Sequence, residues 1–141
     1  MIKLSVAIAT YNEENNIERC LKSLEFVDEI VIIDDFSSDN TIEKIQKLEV
    51  KNQNYKSKVK IFERKLNKDF ASQRNYGLEK AANDWVLFID ADEVISKELE
   101  FEIRSASRRI KFEKDAYYIK RMDYFWGKEL KHGEISQIRQ I

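Results

Sequence analysis

An α/β fold, with a mostly parallel central sheet and helices on both faces, is predicted by three features of this sequence. Strand-like and helix-like segments alternate along most of the chain. Two apolar runs, Glu29-Ile30-Val31-Ile32-Ile33 and Trp85-Val86-Leu87-Phe88-Ile89, read as strands buried on both faces. Each runs out into an acidic cluster, Asp34-Asp35 and Asp90-Ala91-Asp92-Glu93. The carboxyl ends of parallel strands face the ligand crevice, and like charges gathered there repel unless a cation or ligand hydroxyls offset them. The clusters therefore mark a site, against the plainer reading of two solvated loop ends.

The elements follow in order. Leu4-Ser5-Val6-Ala7-Ile8-Ala9 is the first strand, and a helix from about Glu14 carries Ile17, Leu21 and Leu24 on one stripe. Strand two covers Asp28 to Ile33, Asp39 is set to cap a helix bearing Ile42, Ile45 and Leu48, and Glu49 to Lys58 reads as polar loop. Val59 to Glu63 is strand three, Asp69 to Ala82 a helix, and Trp85 to Ile89 strand four. Ser96 caps a helix with Leu99, Ile103, Ala106 and Ile110, Ala116 to Lys120 is a fifth strand, and the pattern decays from Met122. Layering of this kind is Rossmann-like.

Composition narrows the function. The 141 residues carry 25 basic and 26 acidic side chains, a net charge of −1, so no global field favours nucleic acid. The single cysteine, Cys20, lies on an apolar helix stripe, which excludes an intrachain disulfide and points to core. No apolar run approaches the roughly 20 residues of a membrane span, and Met1-Ile2-Lys3-Leu4 leads straight into a strand, so a cytoplasmic protein is expected. Neither a Gly-x-Gly-x-x-Gly turn nor a Walker-type Gly-Lys-Ser is present, which disfavours dinucleotide and P-loop chemistry. With no Pro and only three Gly there is no linker, and one domain spanning 1–141 is expected.

Four blocks in order, Ser5-Val6-Ala7-Ile8-Ala9-Thr10-Tyr11-Asn12-Glu13-Glu14, Val31-Ile32-Ile33-Asp34-Asp35-Phe36-Ser37-Ser38-Asp39, Arg74-Asn75-Tyr76-Gly77 and Val86-Leu87-Phe88-Ile89-Asp90-Ala91-Asp92-Glu93, resemble family 2 glycosyltransferases. The resemblance covers roughly residues 3 to 95. It implies a GT-A fold, a nucleotide-sugar donor of the UDP-linked kind, a divalent cation (Mn2+ or Mg2+) and inversion at the anomeric carbon. Tyr118-Ile119-Lys120-Arg121 and Tyr124-Phe125-Trp126-Gly127 look like the bacterial branch that builds lipopolysaccharide cores and surface glycans, which implies a glycan or lipid-linked acceptor. The aromatic cluster Tyr117, Tyr118, Tyr124, Phe125 and Trp126, interleaved with Lys120, Arg121 and Lys128, could meet a membrane surface or form core with a solvated rim. The inner face of the cytoplasmic membrane is the matching location.

Carried over position by position, the resemblance makes Asp92 the metal ligand and Asp90 a nucleotide or sugar contact, with Ala91 packed behind them on the same donor-binding segment. Alternate residues of an extended segment point the same way, which suits Asp90-x-Asp92, and a carboxylate-held cation can stabilise the departing diphosphate. A helix N-terminal role for Asp92-Glu93 is the bland reading. Asp35 matches the carboxylate that holds uracil or ribose, which offer donors to an acceptor-only group; Asp34 could instead bind turn amides. Ala9, Thr10 and Tyr11 match backbone and ring contacts to the base, with Glu13 counted in the same donor-binding block, although Tyr11 would also serve as a rim aromatic. Arg74 matches an arginine that approaches the donor, its fork suiting a diphosphate or an acidic loop; a solvated helix residue is the alternative.

Two departures stand out. Phe36 occupies a position where many relatives have Gly, and positive φ is costly for Phe, so the loop is expected to follow another path. The family's general base lies downstream of the acceptor region, so the base is expected beyond Ile141. Glu129, His132 and Glu134 are the only late candidates and make weak ones. The domain therefore reads as truncated, with a donor-binding part at 1–95 and the start of an acceptor part at 96–141, and the 141 residues alone are expected to be inactive in transfer. Two other readings compete: a noncatalytic nucleotide-sugar or partner-binding module, and a phosphoacceptor receiver domain. Receivers carry their acidic pair after the first strand, where this chain has Thr10-Tyr11-Asn12.

Overall fold

The computed structural model describes residues 3–52, 55, 58–108, 116–117, 119–125, 128–129 and 139–140. The chain divides into two compact units, Met1–Arg109 and Ile110–Ile141. The first unit holds strands β1 (Leu4–Thr10), β2 (Glu29–Asp34), β3 (Val59–Glu63) and β4 (Trp85–Asp90), and helices α1 (Ile17–Ser23), α2 (Thr41–Lys51), α3 (Phe70–Lys80) and α4 (Lys97–Ser107). All four strands are parallel, in the order β3-β2-β1-β4. This is the Rossmann-like α/β arrangement that the sequence predicts.

Period-two alternation sorts the strand residues between two helical layers. Val6, Ile8, Ile30, Ile32 and Ile89 join Ile17, Cys20, Leu21 and Leu24 of α1 and Ile45 of α2 in one buried cluster. The opposite face receives α3, where a Cβ built on Gly77 would lie 3.2 Å from Ala7 Cβ and 3.7 Å from Ile33 Cγ1. Gly77 is the contact that lets the helix lie so close to the central strands.

Several boundaries shift for local reasons. The first helix begins at Ile17, not near Glu14, because the Glu13 carbonyl accepts from the amides of Asn16 (3.0 Å) and Ile17 (2.9 Å) and closes a turn first. Asn40 takes the N-cap position of α2, while Asp39 Oδ1 accepts from the Thr41 amide at 2.9 Å. The stretch expected to be polar loop starts as helix, which runs to Lys51, and contains the buried Tyr55. Its hydroxyl donates to the Leu21 carbonyl (3.0 Å), and Lys58 Nζ donates to the Glu25 carbonyl (2.8 Å), so both satisfy backbone acceptors around the end of α1. Ser96 caps α4 as expected, its Oγ accepting from the Leu99 amide.

In the second unit, β5 (Ile119–Lys120) pairs antiparallel with β8 (Arg139–Gln140), and β6 (Tyr124–Phe125) with β7 (Lys128–Glu129). The expected fifth strand is thus shorter than Ala116 to Lys120 and belongs to a ribbon, not to the parallel sheet. Tyr118, Trp126, His132 and Glu134 lie outside the described residues.

Candidate functional site

Strand order decides where the motif residues meet. From β1 the chain crosses to β2 on one side and later returns to β4 on the other, so the topological switch point lies between β1 and β4. Crevices for ligands open at such points, outside the carboxyl ends of the strands. In register, Ala9 faces Asp90 on β4, and Thr10 faces Asp34 on β2. The end of β1 is therefore flanked by the two acidic clusters.

Each residue there has a distinct role in the loops. Ala9 is half-buried at the strand end, and Thr10 is 5% exposed, with a buried Oγ1 that has no hydrogen-bond partner. A buried hydroxyl left unpaired is costly. The Thr10 carbonyl accepts from the Asp35 amide at 2.9 Å, locking the two strand ends together. Tyr11 is 56% exposed. Asp34 is buried and accepts from the amide and hydroxyl of Ser37, so it shapes the turn. Asp35 is half-buried and spends Oδ1 on the Leu66 amide at 2.9 Å, tying the β3–α3 loop to the site. Glu13 supports the loop, its amide donating to Thr41 Oγ1 (2.8 Å) and its carboxylate accepting from Asn16 Nδ2 (2.8 Å).

The loop after β4 departs from the extended shape that the Asp-x-Asp spacing suggests. The Asp90 amide donates to Glu93 Oε2 at 2.8 Å while the Glu93 amide donates to the Asp90 carbonyl at 3.0 Å, and this reciprocal pair curls the chain into a turn. Ala91 is buried beneath it, as expected, and Asp92 is left exposed. The Asp92 carbonyl accepts from Arg19 at 3.3 Å. Arg74, on α3, points to the same place, with Nη2 standing 3.9 Å from Asp90 Oδ1.

Phe36 overturns the expectation that its loop avoids positive φ. Its φ is 55°, and Asn12, Asn67 and Lys68, in the loops after β1 and β3, share the left-handed region at 53°, 50° and 61°. Strained residues of this kind cluster where loops are held for function. The residue type is the signal for Asn12, since Asn tolerates this conformation. Its Oδ1 accepts from the Ser38 amide at 2.8 Å and its own amide donates to Ser37 Oγ at 2.9 Å, clasping the first two loops together.

Below the site, Cys20 Sγ lies 3.9 Å from the Asp90 carbonyl. Burial, then the nearby Glu93 and Asp92 carboxylates, push this thiol up to about 12, so it is inert packing. Among the described residues no three His, Cys, Asp or Glu side chains form a metal cage. Asp90 and Asp92 are the carboxylates here that could hold a hard divalent cation, since Mg2+ is usually held by one or two carboxylates plus substrate phosphates.

The profile of glycosyl transferase family 2 matches residues 5–137. The chain belongs to this family. It is 32% identical over 114 residues to the SPbeta prophage-derived glycosyltransferase SunS of Bacillus subtilis, covering 77% of this chain and 24% of SunS. It is 34% identical over 107 residues to the poly(ribitol-phosphate) beta-N-acetylglucosaminyltransferase TarS of Staphylococcus aureus, covering 70% of this chain and 18% of TarS. The crystal structure of TarS 1–349 in complex with UDP superposes with a TM-score of 0.61 at 31% identity, over 74% of this chain and 31% of that one. The crystal structure of GalNAc-T7 with UDP, GalNAc and Mn2+ gives a TM-score of 0.52 at 26% identity, over 64% of this chain and 18% of that one. The family 2 chain thus spans a quarter or less of the length of SunS and TarS.

Proposed function

We propose that this chain is the donor-binding part of an inverting, metal-dependent glycosyltransferase that takes a UDP-linked sugar and extends a bacterial glycan or lipid-linked acceptor of the lipopolysaccharide-core or surface-glycan kind. The observation that carries the reading is the end of β1, flanked on one side by Asp35 and on the other by Asp90 and Asp92. Relatives bound to UDP, one of them with Mn2+, support the same donor chemistry here.

In this reading Asp35 uses the oxygen not committed to Leu66 to accept from uracil or ribose donors. Ala9 and Thr10 offer their backbone and the exposed Tyr11 its ring to the base, while Glu13 holds the loop that carries them. Asp92, exposed and unshielded by the Asp90–Glu93 turn, is the residue that would hold Mn2+ or Mg2+, and Asp90 faces the sugar side with the buried Ala91 packed behind it and contributing backbone only. When bound, the cation supplies Lewis-acid stabilisation of the charge that develops on the diphosphate. Arg74 adds a guanidinium fork for the same oxygens. We assign residues 1–95 to donor binding and 96–141 to the start of the acceptor part, with the general base outside the donor-binding part. Glu129 is exposed in the second unit and is given no role. Membrane contact through the aromatic and basic residues near Tyr124 is part of the proposal; among the described residues no helix is long and apolar enough to cross a membrane.

The test is a thermal-shift titration with UDP and Mn2+, with and without EDTA. Saturation at a hundredfold the dissociation constant adds about 2.7 kcal/mol to stability. A UDP shift that survives chelation unchanged overturns the metal role, and no shift in either condition overturns donor binding.

A further inference from the structure

Phe36 is an expensive residue for its position. It combines a left-handed φ of 55° with a side chain left 54% exposed. A bulky L-residue in that region is strained, and an exposed phenyl forfeits the gain of burial. Among the described residues it makes no ring–ring or cation–ring contact that would compensate.

The conformation is imposed from both sides. Asp35, just before, donates its amide to the Thr10 carbonyl and accepts the Leu66 amide, each at 2.9 Å. Ser37, just after, donates its amide to Asp34 at 2.8 Å and accepts the Asn12 amide at 2.9 Å. Gly or Asn would satisfy the same anchors at lower cost. Neither the backbone conformation nor a ring–ring or cation–ring contact among the described residues therefore calls for a phenyl ring here.

Its surroundings do. Phe36 follows Asp35, and the exposed Tyr11 follows Thr10, so two solvent-facing rings leave adjacent strand ends from one hydrogen-bonded junction. Neighbouring strands lie about 4.8 Å apart. The unpartnered Thr10 hydroxyl sits at that junction. Base–aromatic stacking needs only a π-face and tolerates any base.

We propose that Phe36 is a nucleoside-contacting residue, its ring covering the base and ribose of the nucleoside diphosphate beside Asp35. This rests on the donor-binding reading above. The strain is then offset only in the ligand-bound state.

Phe36→Gly, Phe36→Asn and Phe36→Tyr, compared with the wild-type chain by calorimetric titration with UDP and Mn2+, test it. Phe36→Gly and Phe36→Asn are expected to raise the melting temperature of the free protein and to weaken UDP binding at least about fivefold, the low end of base-stacking losses. Phe36→Tyr should bind like wild type. Wild-type UDP affinity in Phe36→Gly overturns the inference, as does a melting temperature that falls, which would make the ring a packing element. A loss confined to a UDP-sugar and absent for UDP also overturns it, because the ring would then meet the sugar. Failure of the wild-type chain to bind UDP at all would instead remove the donor-binding reading itself.

Discussion

The Arg74 guanidinium stands 3.9 Å from the Asp90 carboxylate, with both side chains nearly half exposed. At that distance and exposure the pair contributes well under about 1 kcal/mol to stability, so the guanidinium remains available to a diphosphate. Arg74→Ala should therefore leave the melting temperature almost unchanged and weaken Mn2+–UDP binding about tenfold, the scale of one charged hydrogen bond. Calorimetric titration reads both effects on one sample. Unaltered affinity would make Arg74 a solvated helix residue.

Asp35 and Asp92 should fail in different ways. Asp35→Ala loses the bond to the Leu66 amide as well as the ligand contact, so it should lower stability by about 1 kcal/mol and weaken UDP binding with and without Mn2+ alike. Asp92→Asn changes an exposed side chain, should be neutral in stability, and should abolish the gain that Mn2+ brings to UDP binding. Denaturant melts paired with UDP titrations separate them. Equal residual metal dependence in both variants would end the division of labour.

How far the sequence reveals this site depends on the range of the interactions. Strand β3 falls at Val59–Glu63 as read from the sequence, and the Ser96 cap, the buried Cys20 and the acidic strand ends are likewise visible, because each follows from neighbours a few residues away. The Leu66 amide on Asp35 spans 31 residues and the Tyr55 hydroxyl on the Leu21 carbonyl spans 34, and no local pattern encodes either. Phe36 misleads for the same reason: its intrinsic preference argues against positive φ, while anchors from three loops impose it. The turn at Ala91-Asp92 has no local signature, because the Asp-x-Asp spacing fits an extended segment equally well.

Glu29 is a structural carboxylate at the start of β2, opposite the crevice. Burial alone would raise its pKa, but the Ala82 amide (2.7 Å), Lys60 (2.6 Å) and the Ser5 hydroxyl outweigh it and hold the carboxyl below its ordinary value. A lowered folded-state pKa means that this contribution is present above the unfolded value of 4.5 and is lost as pH falls through the lower folded value. Glu29→Gln should cost about 1–3 kcal/mol at pH 7 by urea unfolding. The gap to wild type should narrow below pH 4.5. A gap independent of pH would assign the loss to shape and not to charge.

Gly77 sets how closely α3 can lie on the sheet, and its replacement by Ala puts two effects in opposition. Ala is favoured over Gly within a helix by about 1 kcal/mol. The new Cβ, however, would stand 3.2 Å from Ala7 Cβ, and Ala7 lies on β1, which is paired on both sides by β2 and β4. A central strand cannot yield by a few tenths of an ångström without moving Thr10 and the junction with Asp35, and overpacking of this kind costs about 1–3 kcal/mol. Crowding should therefore win: Gly77→Ala is expected to lower the urea midpoint and weaken UDP binding together, while Leu78→Ala next to it, half exposed, changes UDP binding little. A stabilised Gly77→Ala variant would show that α3 can lift away from β1 without disturbing the strand ends.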